Sequence, residues 1–157
     1  MGDSVEIILN EDVNKVEEPL LYEYLRQSFE LNKVDIKTYS PLTLAYIGDG
    51  IFDIVIRTLI VGRGNTNAHS LHVATSRIVK ASSQSAMIEE WLPYLTEEEE
   101  AVYRRGRNAK SPTMAKNASM SDYRRATGLE ALVGYLYLQN KMERIVELIK
   151  IGLKERE

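Results

Sequence analysis

The sequence predicts an all-α fold. Beyond residue 40, apolar residues recur at spacings of three and four in every extended segment, the period of one helix face. β-Signal is confined to Val5-Glu6-Ile7-Ile8-Leu9, a short strand candidate with no partner in the sequence. Helix start and stop signals punctuate the rest: Pro41 at a first turn, a Thr-Glu-Glu-Glu run at residues 96–99, and glycines at 62 and 64. With 157 residues, 44% of them apolar and 27% charged, the composition is that of a globular domain that buries about two thirds of its unfolded surface. The chain has no cysteine, which excludes disulfides, thiolate zinc sites and cysteine nucleophiles. The acidic N-terminus lacks the pattern of a signal peptide, and the longest apolar run is broken by Asp49, Asp53 and Arg57, so no membrane span is expected. The cytoplasm is the expected compartment.

Taken in order, residues 1–35 read as an acidic, partly flexible appendage to a domain spanning 36–157. Within it Leu20, Leu21, Tyr24, Leu25 and Phe29 allow an amphipathic helix over 18–31. Residues 36–40 form a linker, and Pro41 opens a helix that runs to about Val61. The turn at 62–65 follows, and Thr66 or Asn67 caps a helix expected to continue unbroken to about Trp91. Its stripe comprises Leu71, Ala74, Ile78, Ala81, Ser85 and Ile88, and its many small residues suit close packing. His69 and His72, three apart with no third ligand nearby, are read as capping or packing residues rather than metal ligands. After Pro93, Thr96 and Glu99 form a capping box for a helix to about Arg107, with the acids at its positive end needing no other role. Residues 108–121 are small, polar and basic, a loop. Ser121 is expected to cap the helix that carries Glu130, and a last amphipathic helix begins near Met142.

Charge is unevenly spread along this chain. Residues 1–35 carry nine acids and three bases, net −6, whereas residues 101–128 carry seven bases and one acid, net +6. A concentrated basic segment in a weakly acidic protein predicts a local anion-binding face.

Asp49 lies between Gly48 and Gly50 in Leu44-Ala45-Tyr46-Ile47-Gly48-Asp49-Gly50, in the most apolar stretch of the chain. A buried carboxylate costs several kcal/mol unless hydrogen bonds or a positive charge compensate it, of order 3–5 kcal/mol when its partner is missing. It is either satisfied structurally, by backbone amides or Arg57, or it holds a cation that the flanking glycines let approach. Glu130 repeats the problem in Thr127-Gly128-Leu129-Glu130-Ala131-Leu132-Val133-Gly134. Two lone carboxylates in the two most apolar helices are more economical if they meet, and carboxylates that share a site need a cation or a proton between them. With oxygen ligands only, that cation is Mg²⁺, or Mn²⁺ in its place, and Mg²⁺ fills its remaining positions with water and phosphate oxygens. A metal-binding carboxylate pair beside a basic loop reads as phosphodiester hydrolysis.

Leu44-Ala45-Tyr46-Ile47-Gly48-Asp49 resembles the ribonuclease III signature Leu-Glu-Phe-Leu-Gly-Asp, and Thr127–Tyr137 resembles that family's second acidic motif. Ala45 and Thr127 stand where the family pattern has acids. Those two losses, together with Arg105-Gly106-Arg107-Asn108-Ala109-Lys110-Ser111, resemble the short mini-ribonuclease III branch, which lacks a double-stranded RNA-binding domain.

The resemblance implies a ribonuclease III-like helical bundle, homodimeric, that cleaves double-stranded RNA with Mg²⁺ and leaves 5′-phosphate ends. It implies a substrate in the precursor of 23S ribosomal RNA, in a stem that a ribosomal protein could present. Carried over, Asp49 and Glu130 become the catalytic metal ligands, the metal polarising the scissile phosphate and activating water. Thr127 takes the place of the missing acid by holding water. Asp53 either supports the site or pairs with Arg57. Arg104, Arg105, Arg107, Lys110 and Lys116 grip phosphates, and Asn108, Ser111 and Asn117 reach phosphate or 2′-hydroxyl oxygens. The alternative is a non-catalytic, ribosome-associated module that kept this fold to bind RNA.

Overall fold

The computed structural model describes residues 19–110 and 119–153, and among them every regular element is a helix. The strand expected at residues 5–9 lies outside the described residues. The chain divides into two compact units, residues 1–32 and 33–157. In the first, helix α1 (Leu21–Ser28) is shorter than the expected 18–31. It ends where Glu30 turns to a positive φ of 54°. None of its residues is buried: Leu21, Tyr24 and Phe29 are all exposed.

The second unit opens with a 3-10 turn (Ile36–Thr38) inside the expected linker, capped by Asp35, whose carboxylate accepts from the Lys37 amide at 3.0 Å. Helix α2 (Pro41–Gly62) starts as the sequence requires, with Ser40 Oγ accepting from the Thr43 amide at 3.2 Å and proline in the first turn. It ends at a turn in which Gly64 adopts φ 129°, a conformation that side chains disfavour. Asn67 then caps α3 (Ala68–Val79), accepting from the Ser70 amide at 2.9 Å.

The single helix expected from residue 67 to Trp91 is broken. Lys80 is extended (ψ 154°), and a separate helix α4 (Ala81–Trp91) follows it. Ser83 explains the break, because its hydroxyl donates to the carbonyl of Arg77 at 2.5 Å while its amide donates to Lys80. Serine competes in this way with the helical backbone, and the unbroken apolar stripe across the bend concealed it.

A 3-10 turn (Leu92–Tyr94) carries Pro93 into α5 (Glu97–Asn108), whose capping box pairs Thr96 and Glu99 in both directions. Helix α6 (Met120–Tyr137) is capped by Ser119, not Ser121. Ser119 has Asp122 three residues on, an acid at the positive helix end, whereas Ser121 has Arg124 there. Asn140, at φ 59°, completes the turn into α7 (Met142–Leu153).

Helix α6 is the axis of this unit. It packs most extensively on α2, and also on α5, α4 and α7. Consequently its residues 126–129 and 131–137 are buried on all sides. Glycines permit the close approaches. A Cβ at Gly48 would fall on the backbone of Glu130 and lie 2.7 Å from the Gly134 amide, and one at Gly134 would fall on the carbonyl of Leu44. On the opposite flank, a Cβ at Gly106 would meet Ala131 Cβ at 2.7 Å and Gly128 Cα at 2.9 Å.

The acids of α5 do more than face its dipole. Glu99 is buried and accepts both a 2.9 Å bond from Arg144 Nε and a 2.8 Å bond from Arg144 Nη2, tying α5 to α7. The guanidinium holds the Glu99 carboxyl below its usual range against the opposing effect of burial. Glu98 accepts a hydrogen bond from the Tyr135 hydroxyl. The expectation that this run needs no other role is corrected: among the described residues Glu97 and Glu100 stay outside such inter-helix ties, Glu100 pairing within α5 with Arg104.

Candidate active site

The α2–α6 crossing brings Asp49 and Glu130 together, since the backbone that Gly48 touches is that of Glu130. Their environments differ. Asp49 is exposed, which corrects its placement inside a largely buried helix, and Glu130 is mostly buried. Burial first, then the charge of Asp49, then a hydrogen bond with Asp49 push the Glu130 carboxyl up to about 9. At neutral pH, with no cation bound, Glu130 therefore keeps its proton, as a carboxyl does when a neighbouring carboxylate and burial oppose its charge. A divalent cation between them would take over the proton's role.

The glycines at this crossing serve packing more than access. Gly48 and Gly134 let the helices meet, and Gly128 accommodates the ring of Tyr103. Only Gly50, where an added Cβ would meet no neighbouring element within 4 Å, leaves open space next to Asp49. Among the described residues no three acids or histidines group as a metal site, so the protein offers a cation two carboxylates. That set fits Mg²⁺, which commonly takes one or two carboxylates and completes its shell with water and phosphate oxygens.

Of the neighbours, Asp53 pairs with Arg57 at 2.6 Å, one turn beyond Asp49. Thr127 is buried one turn before Glu130, and its hydroxyl donates to the Tyr123 carbonyl at 2.9 Å. Its proton is committed to its own helix, so towards the site it offers only lone pairs. Ala45 is buried in the core, so an acid in its place would lack solvent.

The described part of the basic segment covers Arg104, Arg105, Arg107, Asn108 and Lys110; Ser111, Lys116 and Asn117 lie outside the described residues. Arg104 pairs with Glu100 at 3.2 Å, an exposed pair that costs little to exchange for a phosphate. Arg105 and Lys110 are exposed and have no ion-pair partner among the described residues. Arg107 is half-buried, donates from Nε to Asn108 Oδ1 at 3.3 Å, and sits 5.6 Å over the ring of Tyr103.

A second basic surface was not anticipated. The outward stripe of α3, His69, His72, Ser76, Arg77 and Lys80, lines a shallow groove with Val73. Residues 54–88 contain no acid but include Arg57, Arg63, Arg77 and Lys80. That acid-free span was visible in the sequence; the contrast between residues 1–35 and 101–128 drew attention from it. His69 and His72 are both exposed on this stripe, without a third ligand among the described residues.

The chain is similar to known proteins. The family profile described as the Ribonuclease III domain matches residues 42–141, which include Asp49 and Glu130. A Clostridium tetani protein named mini-ribonuclease 3 is 51% identical over 123 residues, covering 78% of this chain and 82% of its own. An Enterococcus faecalis protein of the same name is 46% identical over 123 residues, covering 77% of this chain and 93% of its own. A crystal structure of a Fusobacterium nucleatum protein superposes with a TM-score of 0.71 at 32% identity, over 78% of this chain and 98% of that one.

Proposed function

The chain belongs to the ribonuclease III family, as a mini-ribonuclease III-type endoribonuclease, and from that premise we propose that it cleaves double-stranded RNA at Asp49 and Glu130 with bound Mg²⁺. The observation that carries the reading is the meeting of these two carboxylates, with Glu130 raised to about 9 by burial and by Asp49. A protein that used them only for structure would gain little from a partly buried acid that must keep its proton against a second carboxylate. When bound, the cation neutralises phosphate charge and makes water a competent nucleophile at neutral pH.

The chain's own residues supply the rest. Asp49, exposed, and Glu130, partly buried and fixed by the rigid α2–α6 crossing, would hold the cation. Thr127 orients water through its free lone pairs. Arg57 neutralises Asp53, so the charge left for the cation is that of the pair. Arg104, Arg105, Arg107 and Lys110, with Lys116, Ser111, Asn108 and Asn117, grip the duplex backbone, and the α3 stripe extends that contact. Duplex RNA is recognised by shape and backbone, which suits a basic face without base-reading pockets. The substrate is a stem in the 23S ribosomal RNA precursor, presented in the cytoplasm by a ribosomal protein, and the products carry 5′-phosphate ends.

Two copies of the site, one per strand, come from a homodimer. Supporting it, α2 carries apolar residues outward: Tyr46 is 83% exposed, Ile54 52% and Val61 63%. Between α2 and α7 runs an apolar groove of about 860 Å³ lined by Ile54, Leu59, Met142, Val146 and Leu153. Contiguous apolar surface of this kind marks an interface, and a two-fold places one groove against its copy.

Cleavage of a duplex stem from large-subunit ribosomal RNA, in Mg²⁺ and in EDTA, tests the reading. Wild type is expected to cut only with the cation, and Glu130→Gln to lose at least about a hundredfold in rate. Binding without cutting by wild type would instead establish the RNA-binding module, with Ala45 and Thr127 as the decisive losses.

A further inference from the structure

Arg107 differs from the other cations of α5 in how it is held. Arg104 is tied to Glu100 and Arg105 is free in solvent, but Arg107 lies over the face of Tyr103 at 5.6 Å. Tyr103 itself is 2% exposed and cannot shift, because its ring occupies the space that a side chain at Gly128 would fill, 2.6 Å from the position of that missing Cβ. One residue before Arg107, the backbone of Gly106 sits against Thr127 and Ala131. Both contacts are made to the segment of α6 that carries Glu130. The stretch of α5 that carries Arg107 is thus registered against α6 by two rigid contacts between helices, while the charge of Arg107 remains unneutralised by any carboxylate among the described residues.

We propose that Tyr103 is a positioning residue: its ring face holds Arg107 in place for a backbone phosphate of the bound duplex. This rests on the nuclease reading above and names the residue that sets the geometry of one of its contacts. A stacked, planar guanidinium loses less freedom on meeting a phosphate than an exposed one and presents its donors in a fixed fork. Tyr103 touches neither substrate nor cation, and Arg107→Lys, which leaves the packing of Tyr103 on Gly128 intact, isolates the effect that runs through Arg107. The stacking energy of such a pair corresponds to about tenfold in rate when it is partly desolvated.

The test is single-turnover cleavage of a duplex RNA by the full chain in Mg²⁺, with affinity measured separately in the Glu130→Gln background over a range of salt. Tyr103→Leu is expected to cut about tenfold more slowly, and Tyr103→Phe, which keeps the ring face but loses the hydroxyl that also bonds Arg107, to recover most of the rate. The salt slope of binding should stay at its wild-type value in Tyr103→Leu, because the cation is still present, and fall by about 1 in Arg107→Ala. Arg107→Lys keeps the charge without the plane and should also cut more slowly; being at the surface, it decides the matter if Tyr103→Leu does not fold. Wild-type rates in Tyr103→Leu or in Arg107→Lys overturn the proposal, as does a Tyr103→Phe enzyme as slow as Tyr103→Leu. Failure of the wild type to bind or cut the duplex sinks the nuclease reading itself, a result seen before any variant is compared.

Discussion

Helices α2 and α6 look alike in sequence, each an apolar run with one carboxylate between glycines, yet they solve different problems. In α6 the apolar residues are consumed by packing on α2, α4, α5 and α7, and Glu130 is partly buried among them. In α2 only part of the apolar surface is used inward, by Leu44, Ile51, Phe52, Ile56 and Ile60. Tyr46, Ile54, Leu59 and Val61 face outward, and Asp49 is exposed. The comparison teaches that an apolar helix is not thereby a buried one. Surplus apolar residues on an outer helix point to an interface, whereas on a central helix they are the core. The asymmetry also divides the work at the site, because one carboxylate meets solvent and the other is held against it in a low-polarity setting.

The largest break in that comparison comes from the glycines. Gly48 and Gly50 flank Asp49 symmetrically in the sequence, but a methyl at Gly48 would collide with the Glu130 backbone, and one at Gly50 would meet nothing within 4 Å. Gly48→Ala is expected to lower unfolding free energy by about 3 kcal/mol and to displace Glu130 from Asp49, reducing cleavage with it. Gly50→Ala should stay within about 1 kcal/mol of wild type, since loss of crowding is absent and helix propensity improves. Urea unfolding of both variants reads this directly. Equal destabilisation would mean that the α2–α6 crossing does not depend on Gly48.

How much of this was legible in the sequence follows from the range of each signal. Caps and breakers act locally, so the starts of α2, α3 and α5 could be read from Ser40-Pro41, Asn67 and Thr96–Glu99. The bend at Lys80 could not, because it depends on a hydroxyl of Ser83 choosing a carbonyl six residues back over solvent. The pairing of Asp49 with Glu130 was reachable from cost alone, as two expensive groups are cheaper together. Which of the two is the more buried was not, for that depends on what packs outside α2. The tie of Glu99 to Arg144 joins residues 45 apart, and an acidic helix start gave a sufficient local account that hid it. The acid-free span over residues 54–88 shows the converse, a signal present in composition that carries meaning only once α3 is known to expose it.

A smaller effect separates the outer faces of the two helices. Leu59 is 42% exposed in the groove between α2 and α7, so Leu59→Asp places a charge where a second copy would sit without disturbing the α2–α6 contact. Protomer folding should be unchanged, and dimer affinity should fall by at least about tenfold, the consequence of burying one unpaired polar group at an interface. Sedimentation velocity at micromolar concentration would show the shift toward monomer. A dimer as tight as wild type would move the interface off this groove.

The finest test sharpens the contrast between the carboxylates themselves. Glu130 has its pKa raised in the folded protein to about 9, while in the unfolded chain it titrates near its ordinary 4.5. The folded state therefore binds a proton that the unfolded state has released throughout the interval between those values, and linkage makes stability fall as pH rises across it. The contribution is fully present below pH about 4.5 and fully lost above pH about 9. In EDTA, Glu130→Gln keeps the shape and the hydrogen bonding of the protonated acid but has nothing to ionise. Its unfolding free energy should exceed that of wild type by at least about 1 kcal/mol at pH 8.5 and match it near pH 4.5. Asp49→Asn should lower the Glu130 pKa by removing the neighbouring charge, but leave burial, the larger cause, in place, so part of the slope should persist. Mg²⁺ added to wild type should flatten the same slope by substituting for the proton, and should do nothing to Glu130→Gln. A wild-type slope indifferent to both substitution and cation would mean that the buried acid is neutralised by something other than its partner across the α2–α6 crossing.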